Sequence, residues 1–302
     1  MADTGGRGLG PDAEPSAGPG PVGDEWDRRI VAGLAFLRER LTGDYAVDEF
    51  GFDQHLTDGL LLPTLRQLYR TWFRVEVTGT EHLPDDGAAL VVANHSGTVA
   101  MDALMLGVAV HDEHPARRYL RVLGADLVFR TPGLSELMRK WGATLACNTD
   151  AERLLRAGEL VGVFPEGFKG VGKSYFERYQ LQRFGRGGFV AAALRTGTPI
   201  IPVSIVGAEE IYPKLGDIWP LARLLGTPYF PITPTFPWLG PLGLVPLPSK
   251  WLIEFGKPIE HCEGAEAADD PMVVFNLADQ VRETIQQMLH TLLERRPNAF
   301  SD

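Results

Sequence analysis

The sequence has 302 residues, 44% of them hydrophobic, which suits one large α/β domain with appendages and excludes a wholly disordered chain. Acidic residues number 39 against 29 basic ones, a formal net charge of -10, so no nucleic-acid partner is expected and any anionic ligand must meet local basic clusters. Cys147 and Cys262 lie far apart in no disulfide or zinc spacing, and the first residues lack a basic stretch followed by an apolar one, so a reduced protein that stays on the cytosolic side is expected.

In chain order, residues 1–24 are mostly Gly, Pro, Ala and Asp and read as a disordered tail. Residues 25–75 read as an N-terminal amphipathic helical region. Its first helix repeats Ile30, Leu34, Leu37 and Leu41 at three-to-four spacing. A second, over Leu60 to Val75, sets Leu61, Leu65, Leu68, Tyr69, Trp72 and Phe73 among Arg66, Arg70 and Arg74. Such a helix suits a lipid interface, where arginine heads meet phosphates, or equally the side of the main domain.

Residues 76–302 read as one α/β domain. Apolar runs at Ala89 to Ala93, Tyr119 to Leu123, Leu160 to Phe164, Ile200 to Val206 and Trp251 to Phe255 predict buried strands with helices between them. Between Arg223 and Lys250 no charged residue occurs, and the seven prolines at 228, 231, 234, 237, 241, 246 and 248 exclude a membrane-crossing helix. This stretch, 224–249, is expected to be a shallow apolar loop facing lipid, a wall of an acyl channel, or a loop folded on the core. A final helix over Met272 to Arg296 presents Val273, Leu277, Val281, Ile285, Met288 and Leu292 on one face.

The chemistry gathers around Ala88-Ala-Leu-Val-Val-Ala-Asn-His-Ser-Gly-Thr-Val-Ala-Met-Asp102. An apolar strand delivers Asn94 and His95 to its carboxyl end, a small-residue turn follows, and Asp102 opens a helix. A histidine placed there can take a proton from a hydroxyl while the carboxylate fixes its tautomer. That is the base and orienter of a triad whose nucleophile is the acceptor alcohol. Ser96 lacks the first glycine of a nucleophile elbow. His111-Asp-Glu-His114 reads as a solvated loop, and no metal site is expected.

Three further blocks follow in order: Gly124-Ala-Asp-Leu-Val-Phe-Arg130, Phe164-Pro165-Glu166-Gly167, and Ile200-Ile-Pro-Val-Ser204. Together with Asn94-His95 and Asp102 they resemble the glycerolipid acyltransferase family, the glycerol-3-phosphate, lysophosphatidate and lysophospholipid acyltransferases. Six residues separate His95 from Asp102 where the family pattern has four, a wider spacing that resembles the monoacylglycerol and diacylglycerol acyltransferase-like branch. The resemblance covers roughly residues 78–207.

The resemblance implies a mostly parallel sheet flanked by helices, glycerol-3-phosphate acyltransferase-like, with the site at one sheet edge. It implies His95 and Asp102 as catalytic, and Arg130, Phe164, Pro165, Glu166, Gly167 and Pro202 as substrate-binding. Arg130 would meet acceptor phosphate, Glu166 acceptor hydroxyls, and Pro202 the acyl pocket. Amides near Ser96 and Gly97 would stabilise the oxyanion. The implied activity moves a fatty acyl group from acyl-CoA or acyl carrier protein to a glycerolipid hydroxyl, with no bound cofactor. Membrane lipids are the implied partners, at the cytoplasmic face of the cell membrane, for a peripheral or monotopic protein.

Two alternatives remain. Gly167-Phe-Lys-Gly-Val-Gly-Lys-Ser174 has the spacing of a phosphate-binding loop, which would make the chain a nucleotide triphosphatase. Lys169 and Lys173 could equally meet donor or head-group phosphates. The third reading is a non-catalytic lipid-binding domain on the same fold.

Overall fold

The computed structural model describes residues 38, 42, 43, 45–185, 187–260, 264–296 and 298–300. The expected tail, nearly all of the expected first helix, Arg186 and Cys262 lie outside the described residues. The chain divides into two compact units, 1–46 and 47–302, and the fold and the site belong to the second.

Seven strands form one sheet: β1 Glu76–Thr78, β2 Ala89–Ala93, β3 Leu120–Gly124, β4 Thr144–Leu145, β5 Leu160–Val163 and β6 Ile200–Val206, with Leu252–Phe255 near the C-terminus. A separate two-stranded antiparallel ribbon pairs β7 Gly216–Asp217 with β8 Pro231–Ile232, so Leu252–Phe255 is β9. The order in the sheet is β1-β9-β6-β2-β5-β3-β4. The run β6-β2-β5-β3-β4 is parallel, β9 joins β6 antiparallel, and β1 lies parallel to β9. The expected mostly parallel sheet is therefore present, with β1 and β4 added as short edge strands.

The central strands β2, β5 and β6 are buried along nearly their whole length and almost wholly apolar because both faces are covered. Alternation along β2 sends Ala89, Val91 and Ala93 into one core and Leu90 and Val92 into the other. The first core lies under the helix Met101–Glu113 and holds Met105, Leu106, Val108 and Trp141. The second lies under the helices Asn148–Arg156, Gly188–Thr196 and Pro271–Arg295. Each large side chain buried in these layers contributes about 1.5–3 kcal/mol relative to exposure. On the last helix the buried stripe is Val274, Leu277, Ala278, Val281, Ile285, Leu289 and Leu292, so Leu289 rather than the expected Met288 faces the core.

The second N-terminal helix starts earlier than expected. It runs through Gln54–Leu56, a π turn Thr57–Leu61, Leu62–Gln67 and a second π turn Leu68–Trp72, with Asp53 capping its start at Leu56 N. Leu62, Tyr69 and Phe73 are buried in the first core. Arg66 holds Asp112 in a two-pronged pair, Nε to Oδ2 at 2.7 Å and Nη2 to Oδ1 at 2.6 Å. This helix is packed on the domain, and the part-exposed Arg66 spends its charge on Asp112. Burial opposes ionisation of Asp112, but the Arg66 hydrogen bond and charge outweigh it and hold the carboxyl down at about 2.

One local expectation is corrected. The segment around His111 and His114 is not a solvated loop: the helix reaches Glu113 and both imidazoles are buried. The apolar segment carries β8, whose ribbon partner β7 precedes it, a 3-10 turn Gly240–Leu244, and at its start the end of a short helix Trp219–Leu225 opened by Pro220. Among the described residues no helix is long and apolar enough to cross a membrane.

Candidate active site

The site forms where β2, β5 and β6 end on the same side of the parallel sheet. Asn94 continues β2 through its side chain: its Nδ2 donates to Ile205 O at 3.0 Å and its Oδ1 accepts from Ile205 N at 2.7 Å. Both halves of the amide are thus used to close the strand end onto β6, which fixes where the next residue emerges.

His95 emerges partly exposed, with Nδ1 2.8 Å from Asp102 Oδ2. Asp102 is fully buried in the first turn of its helix and also accepts from Ser96 N at 2.8 Å and Ala103 N at 2.9 Å. Three groups, His95 Nδ1, Ser96 N and Ala103 N, thus converge on its two oxygens. A carboxylate only accepts, so Nδ1 carries the proton and Nε2 is left with a lone pair. The ring also packs on Phe164, centroids 4.7 Å apart at 37°. The geometry is that of an oriented general base.

Ser96 N is committed to Asp102, so it is not available as the expected oxyanion donor. The Ser96 side chain is completely buried, which rules it out as a nucleophile reaching substrate.

Glu166 departs from its expected role. Its side chain is closed to solvent, with Oε1 accepting from His95 N at 2.9 Å and Oε2 from Gln182 N at 2.7 Å. Rather than receiving acceptor hydroxyls, it braces the backbone of His95 from behind. Pro165 and Gly167 shape the turn that delivers it. Gly167 adopts φ 55 and ψ -141, a conformation reserved in practice for glycine. Gly170, in the short helix Phe168–Val171, seats that turn against the base: a Cβ there would lie 2.5 Å from His95 O.

Lys173 is not a phosphate contact. Its ammonium is buried at 3% exposure, 3.0 Å from Glu209 Oε1 and 3.6 Å from Glu166 Oε2, and it donates to Gln180 O at 3.1 Å. Glu209 also accepts from Tyr179 N at 3.0 Å. Burial, countered by Lys173 and Tyr179 N and reinforced by the Glu166 charge, pushes Glu209 up to about 7. The triphosphatase reading fails here, since a phosphate-binding lysine must be free and a long helix must follow Ser174. In its place stands the 3-10 turn Tyr175–Glu177.

Beside this network Tyr179 donates its hydroxyl to Glu210, and Arg296 pairs with Glu210 Oε1 at 3.0 Å. Burial above all, then the Glu210 charge, pushes the Tyr179 phenol well up, keeping it a donor.

Arg130 ends the helix Asp126–Arg130 at 77% exposure, paired with Asp126 Oδ2 at 2.7 Å. Lys169 is exposed on the turn that carries Gly170. Pro202 is buried inside the sheet in register with Val92 and stands next to Gly256. The structure therefore gathers His95, Asp102, Phe164, Glu166 and Lys173, while Arg130 is held by its own helix and Pro202 by the sheet.

Sequence reasoning missed the loop's supports. Thr98 Oγ1 donates to Tyr212 O at 3.1 Å, and Tyr229 donates to Thr98 O. Burial, then the charges of Asp102 and Asp217, pushes the Tyr229 phenol up to about 12, so it keeps its proton. Neither tyrosine belongs to a block in the sequence; the lack of charge around Tyr229 was the only signal.

A model of the acyltransferase family matches residues 74–206. An uncharacterized protein of Mycobacterium tuberculosis is 64% identical, the alignment covering 90% of this chain and 76% of that protein. The human DGAT1/2-independent enzyme synthesizing storage lipids is 26% identical, over 72% of this chain and 61% of that enzyme. The crystal structure of the 1-acyl-sn-glycerophosphate (LPA) acyltransferase PlsC from Thermotoga maritima superposes with a TM-score of 0.54 at 19% identity, covering 89% of this chain and 91% of that one, and shares the fold. The chain belongs to the acyltransferase family.

Proposed function

We propose that the chain transfers a fatty acyl group from a thioester carrier, acyl-CoA or acyl carrier protein, to the hydroxyl of a partial glyceride at the cytoplasmic face of a membrane. The His95–Asp102 pair at 2.8 Å carries this reading. Nε2 takes the proton of the acceptor hydroxyl as its oxygen bonds to the thioester carbonyl carbon. The carbon–sulfur bond then breaks, and the leaving thiolate takes the proton back from the imidazolium. Asp102 stabilises the imidazolium between these steps.

A neutral acceptor is favoured over a phosphorylated one because, of the three cations nominated for phosphate, Lys173 is buried against Glu209 and Arg130 pairs with Asp126 on its own helix, which leaves only the exposed Lys169. The storage-lipid enzyme named among the relatives supports the same choice. The test gives the full chain in vesicles a labelled acyl thioester with monoacylglycerol, diacylglycerol, lysophospholipids and glycerol phosphate. Labelled product from a partial glyceride, absent with His95→Ala, is expected. Product from lysophospholipid alone would reverse the acceptor choice, and no product from any acceptor would leave a non-catalytic lipid-binding domain.

A further inference from the structure

The segment that the family blocks leave unexplained is built to stay outside the core. Leu224 is 80% exposed, Trp238 and Leu242 71% each, Trp219 65%, and Leu225 and Leu239 56% each. No charged residue occurs from 224 to 249. So many large apolar side chains exposed within one short stretch of chain mark an interaction surface.

These side chains cannot fold inward, because the backbone beneath them is pinned. Tyr212 donates its hydroxyl to Leu244 O, Leu247 N donates to Ile211 O at 2.9 Å, and Trp72 Nε1 donates to Pro246 O at 2.9 Å. Much of the segment's own backbone is also satisfied internally. Leu215 N donates to Ile232 O at 2.8 Å, Ile218 N to Phe230 O at 2.9 Å, Thr233 N to Phe236 O at 2.8 Å and Leu239 N to Thr235 O at 2.9 Å. Backbone paired in this way can enter a poorly hydrated layer without the cost of orphaned polar groups.

The occupant follows from the chemistry of the surface. A protein partner is normally met by a polar rim around an apolar centre, and this stretch offers a single charged residue, Arg223, toward one. Two exposed tryptophans with leucines between them match the headgroup boundary of a bilayer, where indole rings settle. Arg223, over the Trp219 ring at 5.6 Å, supplies a cation at the edge. We propose that residues 219–245 seat on a lipid bilayer surface, and that Tyr229 transmits this seating to the loop beside His95. Tyr229 is the physical link, since it belongs to the segment and holds Thr98 O. It is a positioning residue: the acceptor lipid would leave the bilayer beside the loop that this hydroxyl holds. The proposal rests on the acyl-transfer reading for its purpose, though not for its measurement.

Binding is measured on the full-length His95→Ala protein by sedimentation with phosphatidylcholine vesicles, which separates docking from turnover. Leu224→Asp and Leu242→Asp should each lower the partition coefficient about tenfold with the melting temperature unchanged, since both side chains are exposed. In the otherwise native chain, Tyr229→Phe should keep vesicle partition and KM but lower kcat severalfold. Parent protein that stays in the supernatant, or aspartate variants that sediment like the parent, would overturn the proposal. So would substitutions that dissolve a dimer while leaving lipid binding intact. An unchanged kcat for Tyr229→Phe would overturn the link to the loop. Vesicle binding without acyl transfer by the native chain would refute the enzymatic reading and leave the surface standing.

Discussion

Gly170→Ala tests the site most directly, because two effects of opposite sign meet at one methyl group. Residue 170 is helical, and alanine is favoured over glycine there by about 1 kcal/mol on propensity alone. The new Cβ, however, would lie 2.5 Å from His95 O, 2.8 Å from Glu166 Cβ and 3.0 Å from His95 Cβ. The first contact is roughly 1 Å inside the ~3.5 Å of ordinary packing. The nearest obstacle is backbone, and Asn94, Glu166 and Asp102 hold it in place, so no flexible side chain can swing away.

Overpacking of this kind costs about 1–3 kcal/mol, which the propensity gain partly offsets, so the melting temperature should fall by only a few degrees. Activity should suffer far more: displacing the base by about 1 Å costs on the order of 100-fold in kcat. Acyl-transfer kinetics and a thermal melt would be run on the variant and on Gly185→Ala, whose Cβ meets only Pro165 O at 3.7 Å and should be neutral. A Gly170→Ala enzyme within about threefold of the parent kcat, with an unchanged melt, would refute the seating of the turn against His95.

Asp102→Asn should lower kcat by about 1000-fold or more, because the amide can donate to Nδ1 and so favours the tautomer with the proton on Nε2; steady-state kinetics on the folded variant checks this. Lys173→Met leaves Glu166 and Glu209 buried without their shared cation and should cost about 3–5 kcal/mol in denaturant unfolding; stabilisation of the native protein by nucleotide, lost in this variant, would restore the triphosphatase reading. Glu209, raised from the ordinary 4.5 to about 7, holds its proton more tightly folded than unfolded. Its contribution to stability is therefore full below pH 4.5 and lost as pH rises through 7, and Glu209→Gln should flatten that part of a melting-temperature profile.

The parallel sheet was legible because a strand covered on both faces must be almost wholly apolar, a demand that Ala89–Ala93 meets and Ile200–Val206 meets but for Ser204. The short edges Glu76–Thr78 and Thr144–Leu145 were not, since their pairing depends on neighbours remote in sequence. At the site, strand-end placement and the helix after it made His95 and Asp102 readable as a pair. Glu166 was readable as important but not in its role, because burial decides whether a carboxylate meets substrate or backbone. Lys173 shows the same limit: its spacing matched a phosphate loop, yet two carboxylates, one of them from beyond β6, claim its charge.

The six-residue gap between His95 and Asp102 also has a physical resolution. Gly97 at φ 97 and Thr98 at φ 60 turn the chain sharply, and two tight turns, Val99 N to Gly97 O and Met101 N to Val99 O, fold the added length outward. The carboxylate therefore still reaches Nδ1 at 2.8 Å. A β-branched residue in the left-handed region costs about 1–3 kcal/mol and persists only when its surroundings impose it. Two hydrogen bonds do so, from Thr98 Oγ1 to Tyr212 O and from the Tyr229 hydroxyl to Thr98 O. Both tyrosines lie after β6, beyond the family blocks. Tyr229 thus ties the longer loop to the apolar segment, and Tyr212, just after β6, holds the same strained residue from a second side.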